Sequence, residues 1–211
     1  MLEIEYKGAN GVVLSTKRAT IYADPKLSVV GLKDLSTKDQ IEVATEARFA
    51  LKSTDAKLAI EGPGEYGVAN FDIKGIAAQR HLDTDTDPKQ STIYRIETND
   101  IRVGLIGNIF EKVTEEQLEE LGIIDVLILP VGGNGYTLDA TGAASVVRKV
   151  DPKVVIPIHY ADSHIKYEVP QDPLELFLKE LGSPVEEVAK YKLKQAGALP
   201  ESLTILKLTR S

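Results

Sequence analysis

Between Asp125 and Tyr160 the chain reads twice as an uninterrupted apolar run, Val126-Leu127-Ile128-Leu129 and then Val154-Val155-Ile156-Pro157-Ile158. Runs without polar alternation belong to strands covered on both faces. The segment between them, Asp139 to Lys149, sets Ala143, Ala144, Val146 and Val147 on one helical face and ends on Arg148-Lys149, where cations suit the helix dipole. Strand, helix and strand (the last from Lys153 to Ile158) make a β-α-β unit, so the fold class is α/β. The second strand ends on His159, just before Tyr160. The carboxyl edge of a sheet is where such architectures place their chemistry, and an imidazole is a usual general base and metal ligand.

The first half has a different rhythm. Leu2–Tyr6, Gly11–Leu14, Ala19–Ala23, Leu27–Leu32, Gln40–Ala44, Lys57–Glu61, Phe71–Ala77, Thr92–Thr98 and Ile101–Ile106 are read as short strands between Gly, Asn and Asp-Pro breakers. Asn99-Asp100 is read as a hairpin turn. Thr114-Glu115-Glu116-Gln117 is a capping box opening a helix that buries Leu118 and Leu121. A last helix is expected at Asp172-Pro173, with Asp172 as its cap, and Leu203–Leu208 as the closing strand. Gly62-Pro63-Gly64 is read as a turn, and the lysines of 190–194 as a solvated face. No repeat or linker divides the chain, so one domain over 1–211 is expected.

Composition narrows the chemistry. With no cysteine, thiolate nucleophiles and thiolate metal sites are excluded, leaving His, Asp and Glu as ligands; the only histidines are His81, His159 and His164. The net charge of −7 argues against nucleic-acid binding. No apolar stretch is long enough for a bilayer, and Met1–Glu5 carries no leader pattern, so a cytoplasmic protein without membrane contact is expected.

Several segments stand in a recognisable order: Ile21-Tyr22-Ala23-Asp24-Pro25, Glu61-Gly62-Pro63-Gly64-Glu65-Tyr66, Gln90-Ser91-Thr92-Ile93-Tyr94, Leu105-Ile106-Gly107-Asn108, Asp125–Gly133 and Val154–Tyr160. From Leu2 to about Pro170 the chain resembles the metallo-β-lactamase fold superfamily, in particular its small Zn-dependent hydrolases similar to ascorbate-phosphate lactonases. The resemblance implies a four-layer αβ/βα sandwich whose loops hold one or two metal ions at one sheet edge. It implies ligands from an H-x-H-x-D-H loop, a later histidine, a bridging aspartate and a final histidine, with metal-bound hydroxide as nucleophile.

Carried over by position, that pattern is broken. The loop after Gln40–Ala44 holds Glu46, Arg48, Ala50 and Leu51 at the ligand positions, and no histidine precedes His81. Asn108 stands where the bridging aspartate belongs. Asp24 matches a carboxylate that orients a ligand, His81 the later histidine, and His159 the final one. Arg48 would repel a dication.

Other motifs add little. Asp83-Thr84-Asp85-Thr86-Asp87 lacks the Gly and Glu of an EF-hand, since Pro88 and Tyr94 occupy those places, and is read as an acidic surface loop. Gly132-Gly133-Asn134-Gly135 offers Gly133 as an anion-binding candidate. The first expectation is therefore a degenerate centre, with no metal or other cofactor, that binds a small ligand or a protein partner without hydrolysis. The alternative is a zinc-dependent hydrolase of lactones or phosphoesters, with a site rebuilt from His81, His159 and carboxylates such as Asp24, Glu46 or Asp83. A third reading makes the chain a subunit of a homo-oligomer.

Overall fold

The computed structural model describes residues 1–80, 90–109 and 113–211. Among them the strands are β1 (Leu2–Gly8), β2 (Gly11–Ser15), β3 (Thr20–Ala23), β4 (Ile41–Val43), β5 (Leu58–Ile60), β6 (Gly64–Val68), β7 (Phe71–Ala78), β8 (Ser91–Thr98), β9 (Ile101–Leu105), β10 (Val126–Pro130), β11 (Val154–Ile158), β12 (Val185–Val188), β13 (Tyr191–Leu193) and β14 (Thr204–Leu208). The helices are α1 (Glu115–Leu121), α2 (Ala140–Val150) and α3 (Leu174–Leu181). One sheet runs β13-β1-β2-β3-β4-β5 and the other β12-β14-β11-β10-β9-β8-β7-β6.

The two apolar runs become β10 and β11, parallel neighbours in register from Val126↔Val154 to Pro130↔Ile158. Alternation of side chains explains why neither run is amphipathic. Val126, Ile128, Val154 and Ile156 face the core shared with the six-stranded sheet, beside Ile4, Leu14, Ile21 and Val43. Leu127, Leu129 and Val155 face the opposite way and pack under α1, α2 and α3 against Leu121, Ala143, Val147 and Phe177. The result is the expected α/β sandwich of two sheets. All three described helices lie against the eight-stranded sheet; a smaller cluster of Ala9, Val30 and Ile165 forms apart from both main cores.

Local signals are confirmed where the chain closes on itself. Asn99 and Asp100 both take positive φ, 51° and 60°, and join β8 to β9 through Thr98↔Ile101. Thr114 and Gln117 exchange both capping-box hydrogen bonds, and Asp139 caps α2 through Gly142 N–H at 2.7 Å.

Other segments differ from expectation. Leu27–Val30 is a 3-10 turn closed by Gly31 at φ 77°, not a strand. Gly64, read as the end of a turn, opens an edge strand, Gly64–Val68, that pairs with β7. Tyr191–Leu193 pairs with β1, and Lys192 within this strand and Lys190 beside it reach Glu3 at 3.4 and 2.7 Å. Asp172 does not cap α3, whose N-cap is Pro173; its carboxylate accepts from Asn134 Nδ2 at 3.1 Å.

Candidate functional site

Parallel register brings the carboxyl ends of β9, β10 and β11 to one edge, where the chain continues into Gly107-Asn108, Gly132-Gly133 and His159. In the other sheet β3 and β4 are also parallel, with Ala23 opposite Val43, and release Asp24 and Thr45-Glu46. Backbone hydrogen bonds join the sheets here: Thr92 N–H donates to Thr45 O at 2.8 Å and His159 N–H to Ala9 O at 3.0 Å. Two non-glycine residues at this edge take left-handed backbone, Asp24 at φ 48° and His159 at φ 51°. Such conformations cost energy and gather at functional sites.

Asp24 is buried and accepts two hydrogen bonds from one residue, from Thr45 N–H and Thr45 Oγ1–H, each at 2.7 Å. Burial raises its pKa to about 7; the Thr45 bonds oppose that shift and the Glu46 charge adds to it. Gly107 must be glycine, because a Cβ there would overlap the Thr45 side chain. Asn10, in the β1–β2 turn, bridges from Asp24 to His159: its Oδ1 is hydrogen-bonded to His159 Nδ1. Its amide nitrogen lies close enough to Asp24 to favour the carboxylate, without a hydrogen bond of normal geometry.

His159 is 2% exposed. Its ring lies between Tyr136, stacked at 5.6 Å, and Tyr167, tilted at 4.9 Å. Burial, helped by the charge of Arg48, lowers its pKa to about 3, so the ring is neutral at physiological pH. Its Nε2 has no hydrogen-bond partner among the described residues.

Glu46 faces two guanidinium groups, Arg80 at 3.5 Å and Arg48 at 3.9 Å. Burial raises its pKa, against the pull of Arg48 and Arg80. Asn108, fully buried, adds a favourable interaction with that carboxylate, yet its amide atoms form no hydrogen bond of normal geometry among the described residues. Arg48 also reaches Glu168 at 3.0 Å and lies over the rings of Phe49 and Tyr136.

Of the residues singled out in the sequence, Asp24, Glu46, Arg48, Asn108 and His159 therefore meet at one edge. Gly133 does not act there as an anion cradle. Its N–H donates to Leu138 O at 3.1 Å, and the Asp139 carboxylate already occupies the start of α2. His164 is exposed beside Asp162. His81, Asp83 and the rest of the 83–87 acidic run lie outside the described residues. Sequence reading missed Asn10, Thr45, Arg80, Tyr136 and Tyr167. Of these, only Asn10 gave a signal, as a polar residue inside a Gly-Ala-Asn-Gly turn.

A divalent ion needs several converging lone pairs. Among the described residues no group of three or more His, Asp or Glu could hold one. One imidazole nitrogen, an amide, and a carboxylate between two guanidiniums do not by themselves fit such an ion.

Comparison with known proteins places this geometry. Residues 3–159 match the family model described as "Beta-lactamase superfamily domain". A metal-dependent hydrolase of Thermococcus onnurineus (strain NA1) is 37% identical over 68 residues, 32% of this chain and 30% of the relative. Another, of Carboxydothermus hydrogenoformans, is 42% identical over 43 residues, 20% of this chain and 19% of the relative. The chain thus matches under a third of the length of these curated relatives. A Thermotoga maritima structure assigned as a Zn-dependent hydrolase of the metallo-β-lactamase superfamily superposes with a TM-score of 0.78 at 24% identity, covering 99% of this chain and 100% of that one. These names overturn the expectation of no cofactor: they point to a metal in the relatives. They also give no support to a non-hydrolytic binder. The match runs from β1 to His159, and the chain belongs to the β-lactamase superfamily, in its metallo-β-lactamase fold.

Proposed function

We propose that this chain is a metal-dependent hydrolase with a rebuilt site, acting on a lactone or a phosphoester. The names of its relatives support the metal and the reaction class. The observation that carries the reading is the His159 imidazole, neutral, flanked by two tyrosines, tied at Nδ1 and, among the described residues, without a partner at Nε2. A buried polar atom left unpaired costs about 1–3 kcal/mol, and a catalytic or binding role is one way such a cost is offset.

Each residue has a part that needs no other group. His159 Nε2 is placed to bind an electrophile or take a proton. Asn108, buried beside Glu46, favours its ionised form. Arg48 holds Glu46 in place and presents positive charge to an anionic ester. Tyr136 and Tyr167 keep bulk water from the imidazole.

The test uses chelator-stripped protein reloaded in turn with zinc, manganese or iron, and offered an aryl phosphomonoester, an aryl phosphodiester and a γ-lactone. Hydrolysis is expected with at least one pairing, and His159→Ala should lower it by about a hundredfold or more. Absence of turnover with every metal, or unchanged turnover in H159A, removes the proposal.

A further inference from the structure

We infer that Asn10 is a positioning residue: its amide, oriented by Asp24, holds the His159 proton on Nδ1 and thereby leaves the Nε2 lone pair free to serve the site. This deepens the reading of His159 given above, although its main test does not depend on that reading.

A neutral imidazole carries one N–H, and which nitrogen bears it decides what the ring can do. With a proton on Nε2 the ring could only donate toward the site; with the proton on Nδ1 it offers a lone pair there. Charge is not the variable, because a ring buried this deeply beside Arg48 stays unprotonated. The tautomer is.

Asn10 and its neighbour Ala9 set the tautomer. The Asn10 Oδ1 lies against His159 Nδ1, and an amide oxygen can only accept, so the shared proton belongs to Nδ1. The Asn10 side chain also acts on Asp24 in the sense of a donor, favouring the carboxylate, without a hydrogen bond of normal geometry. At pH 8 Asp24 is ionised, and turning the amide over would set its oxygen against a carboxylate whose two oxygens already accept from Thr45. Burying two facing acceptors is costly, so Asp24 fixes which way the amide points. The backbone holds the alignment: Ala9 O, next to Asn10, accepts from His159 N–H at 3.0 Å. Asn10 itself is 1% exposed, so solvent does not compete for its amide.

The geometry of the turn serves the same end. Gly8 at φ 109° and Ala9 at φ 48° depart from strand conformation, and the β1–β2 register shifts between Tyr6 and Gly8. Asn10 is the second residue of the two-residue loop closed by Gly8↔Gly11, and with this bulge beside it the loop carries a buried amide.

The experiment is long-range imidazole 15N NMR on histidine-labelled, chelator-treated protein at pH 8, with the His159 signals assigned by their loss in H159Q. In the wild type, Nδ1 is expected to resonate as the protonated nitrogen and Nε2 as the bare one. N10L and N10A each remove the acceptor and should exchange the two positions. A wild-type spectrum with the proton on Nε2 overturns the inference, whichever variants fold. So does either N10L or N10A with the pattern unchanged. If the hydrolase reading also holds, N10L lowers kcat by about 10–100-fold with a smaller effect on KM. Failure to find any hydrolysis would sink that reading and leave the tautomer result intact.

Discussion

Asp24 and His159 sit at the two ends of the Asn10 bridge, and burial shifts them in opposite thermodynamic senses. Asp24 rises from 3.8 to about 7, so the folded protein keeps a proton that the unfolded chain releases. Its contribution to stability is fully present below pH 3.8 and is lost as pH climbs toward 7. His159 falls from 6.5 to about 3, so here the unfolded chain holds the extra proton. That contribution is fully present above pH 6.5 and is lost as pH drops toward 3. One proton is worth about 1.4 kcal/mol per pH unit at full slope. Over the shared window, from about pH 4 to 6.5, the two slopes therefore cancel in the wild type. Replacing one group exposes the other. Relative to wild type, His159→Gln should lose about 3 kcal/mol of stability across that window, while Asp24→Asn should gain a similar amount. Glu46, Tyr94 and Arg48, the charged or titratable neighbours, are present in every protein compared and drop out of the differences to first order. Urea denaturation of chelator-treated protein at half-unit pH steps and constant ionic strength reads the effect. Parallel curves for wild type and both variants would refute the premise that these groups are held in disfavoured charge states.

Two further substitutions separate the site from its scaffold. Gly107→Ala drives a methyl group into Thr45, which cannot yield without releasing Asp24, so a loss of about 1–3 kcal/mol is expected; stability within about 0.5 kcal/mol of wild type, measured by urea denaturation, would show that the approach is looser than described. Ile128→Ala empties a fully buried position between the sheets and should cost about 2–5 kcal/mol, whereas Ile123→Ala, at 68% exposure, should fall within about 0.5 kcal/mol of wild type.

What could be read from the sequence follows from what each signal measures. β10 and β11 were legible because burial on both faces leaves a continuous apolar run, and α1 because its capping box is a local exchange of two hydrogen bonds. Three of the four edge strands, β6, β12 and β13, were not. β6 carries glycine at two of its five positions, and β12 exposes Glu186 and Glu187, so neither shows the alternation that reveals a half-buried strand. Leu27–Val30 misled for the converse reason: its apolar residues pack from a turn tied back to Pro25, and apolarity alone does not distinguish the two. Within the site, Asp24 and His159 were found because each ends a readable strand. Arg80 was missed because its partner Glu46 is distant in sequence, and a lone arginine after a strand carries no mark of its role.

The separation of core from edge also accounts for how this chain keeps its fold without the histidines that the resemblance implies. Ile128, Ile156 and their neighbours build the sandwich almost wholly with apolar side chains. That loop is anchored instead through Thr45, by its carbonyl to Thr92 and by its amide and hydroxyl to Asp24. Ligand positions in it could therefore change to Glu46 and Arg48 at little cost to the core, provided Thr45 kept its place. The same reasoning sets a limit on change. Gly107 packs against Thr45, Thr45 bonds to Asp24, and Asn10 links that carboxylate's surroundings to His159, so a substitution at any of them is expected to reach the imidazole. Residues that only line the edge can vary; residues that aim the imidazole cannot.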